Sequence, residues 1–449
     1  MSDILPMSEH MSGEGPQLAA KETLAMEGYR PRLIEDKLDA LLGAFGCVEI
    51  VGPKWCGKTW TALSRAASAT KLDDERERLA AETDAGLALL GDAPHLVDEW
   101  QEVPEIWDAA RRLVDDAGGE KGLLVLTGST ALSKRARTAI HHSGAGRIAR
   151  LEMRPFTLRE AGWSVGEVSL SALFAGESPE PQRVETSVRD VARWCLRGGW
   201  PATTDLALDA ALETPVHYIR SALDVNVTGV GLSPEFAESL MRALAFNASR
   251  AVTNKTLLAD MAARGKAPSS PDTMTRYLDL LERLFLVEDV PGWAPPLRAK
   301  ERVRMRPKRY FTDPSLAAAM LGATEDSLLA DMQTLGDLFE NLCERDLRVC
   351  LQTYGGLGNK LSFYRDEKGL EVDFVVEHAG AWAGIEVKLS DAKVDAAAKN
   401  LLRLKRKVTS NTMAQNNEPA FLAVLVGAGA LAYQRPDGVY VIPVAALAP

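Results

Sequence analysis

Two hydrophobic rhythms divide this chain. Short apolar runs that end on a glycine or an acid occur at "CVEIV" (47–51), "APHLVDEW" (93–100) and "GLLVLTGST" (122–130), and each predicts a buried β-strand. Segments with apolar residues three or four apart predict helices between them. The alanine-rich "TWTALSRAASATKL" at 59–72 is one such segment. Strands alternating with helices predict an α/β fold built on a parallel sheet.

Further along, the rhythm becomes helical for longer. "PEFAESLMRALAFNAS", "NKTLLADMAARG" and "SSPDTMTRYLDLLERLFLVEDV" predict three helices within 234–293, followed by an extended pair; Ser270 would cap the third and Pro271 sit in its first turn. In that helix Met274, Tyr277, Leu278, Leu281, Leu284 and Phe285 recur at helical spacing and should face a core. The period then falls to two in "GLEVDFVVEHAGAWAGIEVKLS" at 369–390, which predicts a β-hairpin turning around "HAGAW".

Length changes the picture first: 449 residues exceed what one hydrophobic core usually serves, so two to four domains are expected. No apolar run approaches the ~18 residues of a membrane span. The start, "MSDILPMSEHMSGEGPQ", lacks the basic and apolar blocks of an export signal, so a short tail and a cytoplasmic protein are expected. Five scattered cysteines without CxxC spacing predict reduced thiols rather than disulfides or zinc. The net charge of −10 opposes nucleic acid overall, yet acids concentrate in stretches such as "LDDERERLAAETD" at 72–84, so local patches decide.

Candidate chemistry starts at "VGPKWCGKTW", residues 51–60, where Gly52, Pro53, Lys54, Trp55, Cys56, Gly57, Lys58 and Thr59 fill the spacing GxxxxGKT and Trp60 follows. Strand, glycine-rich turn and helix together suit a triphosphate. Backbone N–H groups close around the β-phosphate, the helix start adds positive potential, Lys58 reaches the terminal oxygens and Thr59 holds Mg²⁺. The second apolar strand ends in Asp98, a candidate Mg²⁺-shell acid, and Glu99, placed to polarise the attacking water. The third ends in Thr127 and Ser129, polar residues able to sense a γ-phosphate. Arg147 and Arg150, in or beside a glycine-containing segment, each could supply a mobile cation.

These residues, with "YRPRLIEDKLDALL", "VDEWQEVPEIWD", "LTGST", "GAGRIARLEMRPFT", "LRGGWPA" and "RYFTDPSLAAAMLG", resemble the bacterial and archaeal AAA+ type ATPases that carry a C-terminal domain of unknown function. The resemblance runs from about residue 29 to near the end; one departure is Trp100, where many members have an aliphatic residue. It implies a Walker A motif at Gly52 to Thr59, Walker B at Asp98 and Glu99, a sensor at Ser129 and an arginine finger at Arg147. It also implies a tail over 1–28, a P-loop core over 29–165, a helical lid over 166–230, a winged helix over 231–312 and a small α/β restriction-endonuclease-like domain over 313–449. ATP and Mg²⁺ are the implied cofactors.

Two basic stretches bear on DNA. "LRAKERVRMRPKR" at 297–309 holds seven basic residues and one acid, and Arg302, Arg304, Arg306 and Lys308 would share one face of a strand. "KNLLRLKRKV" at 399–408 offers a second cationic face. The exposed side of the third helix carries Asp279 and Glu282 beside Arg276, which opposes groove insertion. In the hairpin, Glu386 and Lys388 project from one side and Asp373 pairs alongside. Two carboxylates and an ammonium there could hold a divalent metal. The spacing resembles the endonuclease signature D(x)nExK, whose earlier helical acid Glu340 would supply. Three functions stay open: an ATP-hydrolysing switch facing DNA, an ATP-gated nuclease, and a nucleotide-dependent scaffold for proteins. A finger acting in trans would require self-assembly.

Overall fold

The computed structural model describes residues 23–128, 140–263, 271–295, 302, 305–355, 358–411 and 418–449. Most of the expected tail, together with Ser129, Ser270 and Arg304, lies outside these residues. The described end of the tail is tied down, since the Leu24 amide donates to the Ala66 carbonyl at 3.0 Å.

Near the N-terminus, α1 (Glu35–Ala44), α2 (Lys58–Leu63), α3 (Glu75–Thr83) and α4 (Ile106–Asp116) surround a parallel sheet of β1 (Cys47–Val51), β2 (Ser68–Lys71), β3 (His95–Asp98), β4 (Leu124–Gly128) and β5 (Ile148–Glu152). Its order is β2-β3-β4-β1-β5. Every position of β1, β3 and β4 is buried, as a parallel strand covered on both faces requires. The expected long helix after the glycine loop is shorter than its composition suggested: α2 ends at Leu63, and Ser68–Lys71 instead form the edge strand β2. Pairing with β3 overrides the weak helix preference of Ser and Thr there.

Beyond the sheet come the short strand β6 (Val168–Ser169), the strand β7 (Gln182–Thr186), helices Val188–Arg197 and Glu213–Ser221, then Pro234–Phe246, Asn254–Ala262 and Pro271–Arg283, followed by the antiparallel pair β8 (Val287–Val290) and β9 (Lys308–Phe311). Met274, Tyr277, Leu278, Leu281 and Leu284 are buried as their spacing predicts, and so is Leu280. Phe285 has left the helix with φ 55° and is only half-buried.

The C-terminal sheet runs β10 (Lys360–Arg365), β11 (Glu371–His378), β12 (Ala381–Ser390), β13 (Leu422–Gln434), β14 (Tyr440–Pro443), and β7 (Gln182–Thr186) joins β13 from far upstream. The expected hairpin forms between β11 and β12, its turn made by Ala379 and Gly380, both with positive φ. The 22-residue helix Met332–Thr353 packs on β12 and reaches back toward the first sheet. Buried ion pairs fix it there. Arg154, just past β5, meets Glu288 of β8 at 2.7 Å; Arg348 meets the same carboxylate at 3.1 Å; Arg345 meets Asp313 at 2.8 Å. Removing one partner of such a pair strands a buried charge and costs about 3–5 kcal/mol, so these contacts join the two ends firmly. All five cysteines are buried and unpaired.

Candidate functional site

The turn after β1 is shaped by its glycines. Gly52 has φ 150°, and a Cβ there would lie 2.1 Å from the Met153 carbonyl oxygen; Gly57 has φ 99°. Only glycine allows that approach and that backbone. Trp55, also left-handed at φ 63°, stands 54% exposed at the tip, while Pro53 and Cys56 are buried beneath and Lys54 and Trp60 flank them. From below, Arg32 braces the loop by donating to the Cys56 carbonyl at 2.7 Å and to the Arg154 carbonyl at 2.8 Å, its remaining nitrogen paired with Glu160. Sequence reading gave Arg32 no role; a lone arginine before a helix carries no signal until the loop folds onto it.

Lys58 is 6% exposed and turns back over the loop, its ammonium donating to the Gly52 and Pro53 carbonyls at 3.0 and 2.8 Å. Because α2 has only six residues, its dipole is small, and the lysine and loop amides supply most of the positive potential.

β4 lies between β1 and β3, and this order brings three polar groups together. Asp98 and Thr127 are register partners, and Oδ1 of Asp98 accepts from both Thr127 Oγ1 and, at 3.0 Å, Thr59 Oγ1. Burial pushes the Asp98 carboxyl up, and the two hydroxyls oppose the shift. A hydroxyl beside a carboxylate at a phosphate loop is the hard oxygen set that Mg²⁺ prefers, so the residues fit the implied ion. Next in sequence, Glu99 adopts φ 55°, ψ 43°, an unusual conformation for a non-glycine residue, and its carboxylate accepts from Gln101. Strain of that kind collects at functional positions.

Arg147 stands elsewhere. It precedes β5, its carbonyl accepts from the Cys47 amide at the start of β1, and its guanidinium pairs with Asp115 at 2.7 Å. The loop lies at the other end of β1, roughly 16 Å along the strand, so Arg147 does not reach the loop of its own chain. Arg150 lies mid-strand, 3.9 Å from Glu49.

Near the C-terminus, Glu340, Asp373, Glu386 and Lys388 do come together. The Lys388 ammonium contacts Glu386 at 2.6 Å and Asp373 at 3.2 Å, and the Val387 amide donates to Asp373 at 2.8 Å. Lys308, expected on a phosphate-facing strand, is instead buried among these acids: 3.0 Å from Glu340, 2.9 Å from Glu371 and 3.9 Å from Asp373. Tyr310 donates to Glu340 at 2.7 Å. Arg302 is likewise drawn off, forked onto Glu377 at 2.9 Å. The strand expected to carry Arg302, Arg306 and Lys308 on one face does not form over that stretch: β9 begins only at Lys308, Arg306 lies outside it, and the face that Lys308 shares with Tyr310 is inward. Burial pushes Glu340 up to about 7 and Glu386 up to about 8, while the neighbouring lysines hold Asp373 low. Among the described residues no three acids, histidines or cysteines stand in metal-holding geometry. With Lys308 and Lys388 already paired to them, these carboxylates as they stand do not fit the expected divalent ion.

The glycine loop, the parallel sheet and the Asp98 cluster define a P-loop fold. Residues 45–162 match the family model described as an AAA domain, which supports a nucleotide-binding P-loop ATPase. Residues 188–327 and 335–447 match two models, each described as a domain of unknown function (DUF8612 and DUF4143). No curated protein matches the chain. Among solved structures, the Walker-type ATPase PABY2304 of Pyrococcus abyssi is 14% identical with TM-score 0.42, covering 67% of this chain and 98% of its own. The ORC2 protein of Aeropyrum pernix is 15% identical with TM-score 0.32, covering 68% and 97%. At these scores the likenesses carry no argument. No helix among the described residues is long and apolar enough to cross a membrane.

Proposed function

We propose that this chain is an AAA+ type ATPase that binds ATP with Mg²⁺ and hydrolyses it, and that nucleotide state is relayed to a C-terminal half facing DNA. The observation that carries the reading is the convergence of Thr59 and Thr127 on Asp98 beside a loop whose lysine is held, among the described residues, by the Gly52 and Pro53 carbonyl oxygens. Lys58 would exchange those carbonyls for terminal phosphate oxygens. Thr59 and Asp98 would hold Mg²⁺, which, when bound, neutralises charge on the phosphates. Glu99 would accept a proton from the attacking water, and Ser129 would sense the γ-phosphate. Arg147 would serve a neighbouring copy's nucleotide, which makes the active form an oligomer.

Phosphate release by the full-length protein tests the reading, with Lys58→Ala and Glu99→Gln as controls. Turnover undiminished in both would end it.

The DNA-facing role rests on less. Three helices and an antiparallel strand pair support a winged helix over 231–312. On the helix Val394–Thr409, Lys399, Arg403, Arg406 and Lys407 are exposed, which suits backbone phosphates. DNA affinity falling steeply with salt supports this role, and no salt-sensitive affinity would favour a protein partner instead.

A further inference from the structure

The C-terminal carboxylates have the residue types of a metal centre, yet their arrangement is organised around ammonium groups. Lys308 is decisive among these. Its side chain is almost wholly enclosed, 1% exposed for the residue, and its nitrogen lies within 4 Å of three different carboxylates. Those acids come from two elements. Glu340 belongs to the helix Met332–Thr353, and Glu371 and Asp373 belong to β11, while Lys308 itself is in β9.

Several of the cluster's carboxylate oxygens have further donors. Glu340 Oε1 accepts from both Lys308 and Tyr310. Asp373 Oδ2 accepts from the Val387 amide and from Lys388, and Glu386 accepts from Lys388 through Oε2 and from Asn400, at 3.4 Å, through Oε1. Phe363 closes one side, its ring centre 5.6 Å from the Lys308 nitrogen.

A divalent ion entering this cluster would have to share it with a buried ammonium. Like charges a few ångströms apart in a poorly solvated site repel strongly, and Lys308 has no exposed direction in which to withdraw. Lys388 differs, since its side chain is 22% exposed and has solvent to move into.

We infer that Lys308 is the resident cation of the Glu340–Glu371–Asp373 cluster, that it competes with divalent metal there, and that its chief work is to clamp β9 and the helix Met332–Thr353 to β11. The inference is independent of ATP chemistry at the P-loop. It separates this chain from a metal-dependent nuclease by one side chain.

The experiment is Mn²⁺ titration of metal-stripped, nucleotide-free, full-length protein, with free Mn²⁺ read by electron paramagnetic resonance. Binding that depends on Asp373 is isolated by subtracting the result for Asp373→Asn, or for Lys308→Met with Asp373→Asn. Wild type should show no Asp373-dependent site tighter than about 1 mM, and Lys308→Met should bind at least about tenfold more tightly than wild type. Circular dichroism checks folding; if the methionine variant fails to fold, Lys308→Gln takes its place. Two results overturn the inference. One is a micromolar, Asp373-dependent Mn²⁺ site in wild type, which needs no variant of Lys308. The other is a folded Lys308 variant that binds Mn²⁺ no better than wild type.

Discussion

Two lysines, Lys58 and Lys308, are nearly as buried as each other, and their partners separate an open site from a closed one. Lys58 is held by two neutral carbonyls, and among the described residues no acid pairs with it. Lys308 is held by three carboxylates. A triphosphate can outbid carbonyl oxygens for an ammonium because charge-assisted hydrogen bonds are about twice as strong as neutral ones. It has no such advantage over carboxylates that are already in place. Burial alone therefore does not identify a binding lysine; the charge of what it touches does.

The sharpest way to break this comparison is to remove the first lysine. Lys58→Ala should reduce steady-state ATP turnover on the order of 100-fold or more, since one positioned cation on the transferring group carries several kcal/mol of stabilisation. Fluorescence-detected nucleotide binding should weaken in parallel. Turnover within threefold of wild type would remove the distinction between the two lysines.

Next comes Glu99→Gln, which keeps shape and deletes the base. The kcat for phosphate release should fall about 10²-fold while nucleotide affinity changes by less than about threefold. A loss of affinity without loss of kcat would instead make Glu99 a brace for the strained turn after β3.

The C-terminal cluster has its own signature, in pH. Glu386 is pushed up to about 8 by burial and by Asp373 beside it, against an ordinary value of 4.5. A carboxyl raised on folding contributes stability below its unfolded pKa, and that contribution is lost as pH rises through the folded value. The protein should therefore lose stability between pH 5 and pH 8 through this group, and Glu340, pushed up to about 7, acts in the same direction. Glu386→Gln removes the titration. The wild-type minus variant difference in Tm should shrink by roughly 2–5 °C across that window in thermal unfolding. A difference that stays flat across this window would mean that Lys388 keeps Glu386 charged throughout.

How far these sites could be read in advance follows from what carries each signal. The loop was legible because its chemistry is local: eight consecutive residues supply the glycines, the ammonium and the hydroxyl, and β1 abuts them directly. Asp98 was legible as an acid closing an apolar strand. The β11–β12 hairpin was legible through its period of two, which placed Asp373 beside Glu386 and Lys388. Lys308 was not, because alternation tells which residues share a face and not whether that face meets water or protein. Seven bases in thirteen residues read as a surface, yet Lys308 and Arg302 are both spent on acids more than thirty residues away in sequence. Arg147 shows a related limit: proximity to a glycine segment says nothing about which end of a sheet it occupies, so the sequence alone does not tell a finger acting within the chain from one acting on a neighbouring copy. Arg32, in a stretch that carried the family resemblance but gave that residue no role, and Tyr218, in a segment with no motif, hold the phosphate loop from outside.

Tyr218 gives the smallest expected effect and the finest probe of the open site. It lies on the helix Glu213–Ser221, is buried, and stacks on Trp200 with ring centres 5.0 Å apart. Its hydroxyl accepts from the Lys54 amide at 3.2 Å, and its ring meets Trp55 edge-on at 5.9 Å. One loop amide is thus committed to a residue outside the parallel-sheet region, and any nucleotide that reorders the loop must work against that contact. Tyr218→Phe keeps both ring contacts and deletes one hydrogen bond, a change of about 0.5–1.5 kcal/mol. Nucleotide affinity should rise about two- to tenfold with kcat nearly unchanged, and the fluorescence of Trp55 should report binding at correspondingly lower ADP. Weaker binding in Tyr218→Phe would mean that the hydroxyl preorganises the loop for phosphate, and the loop would then owe its open state to this tyrosine as well as to the carbonyls that hold Lys58.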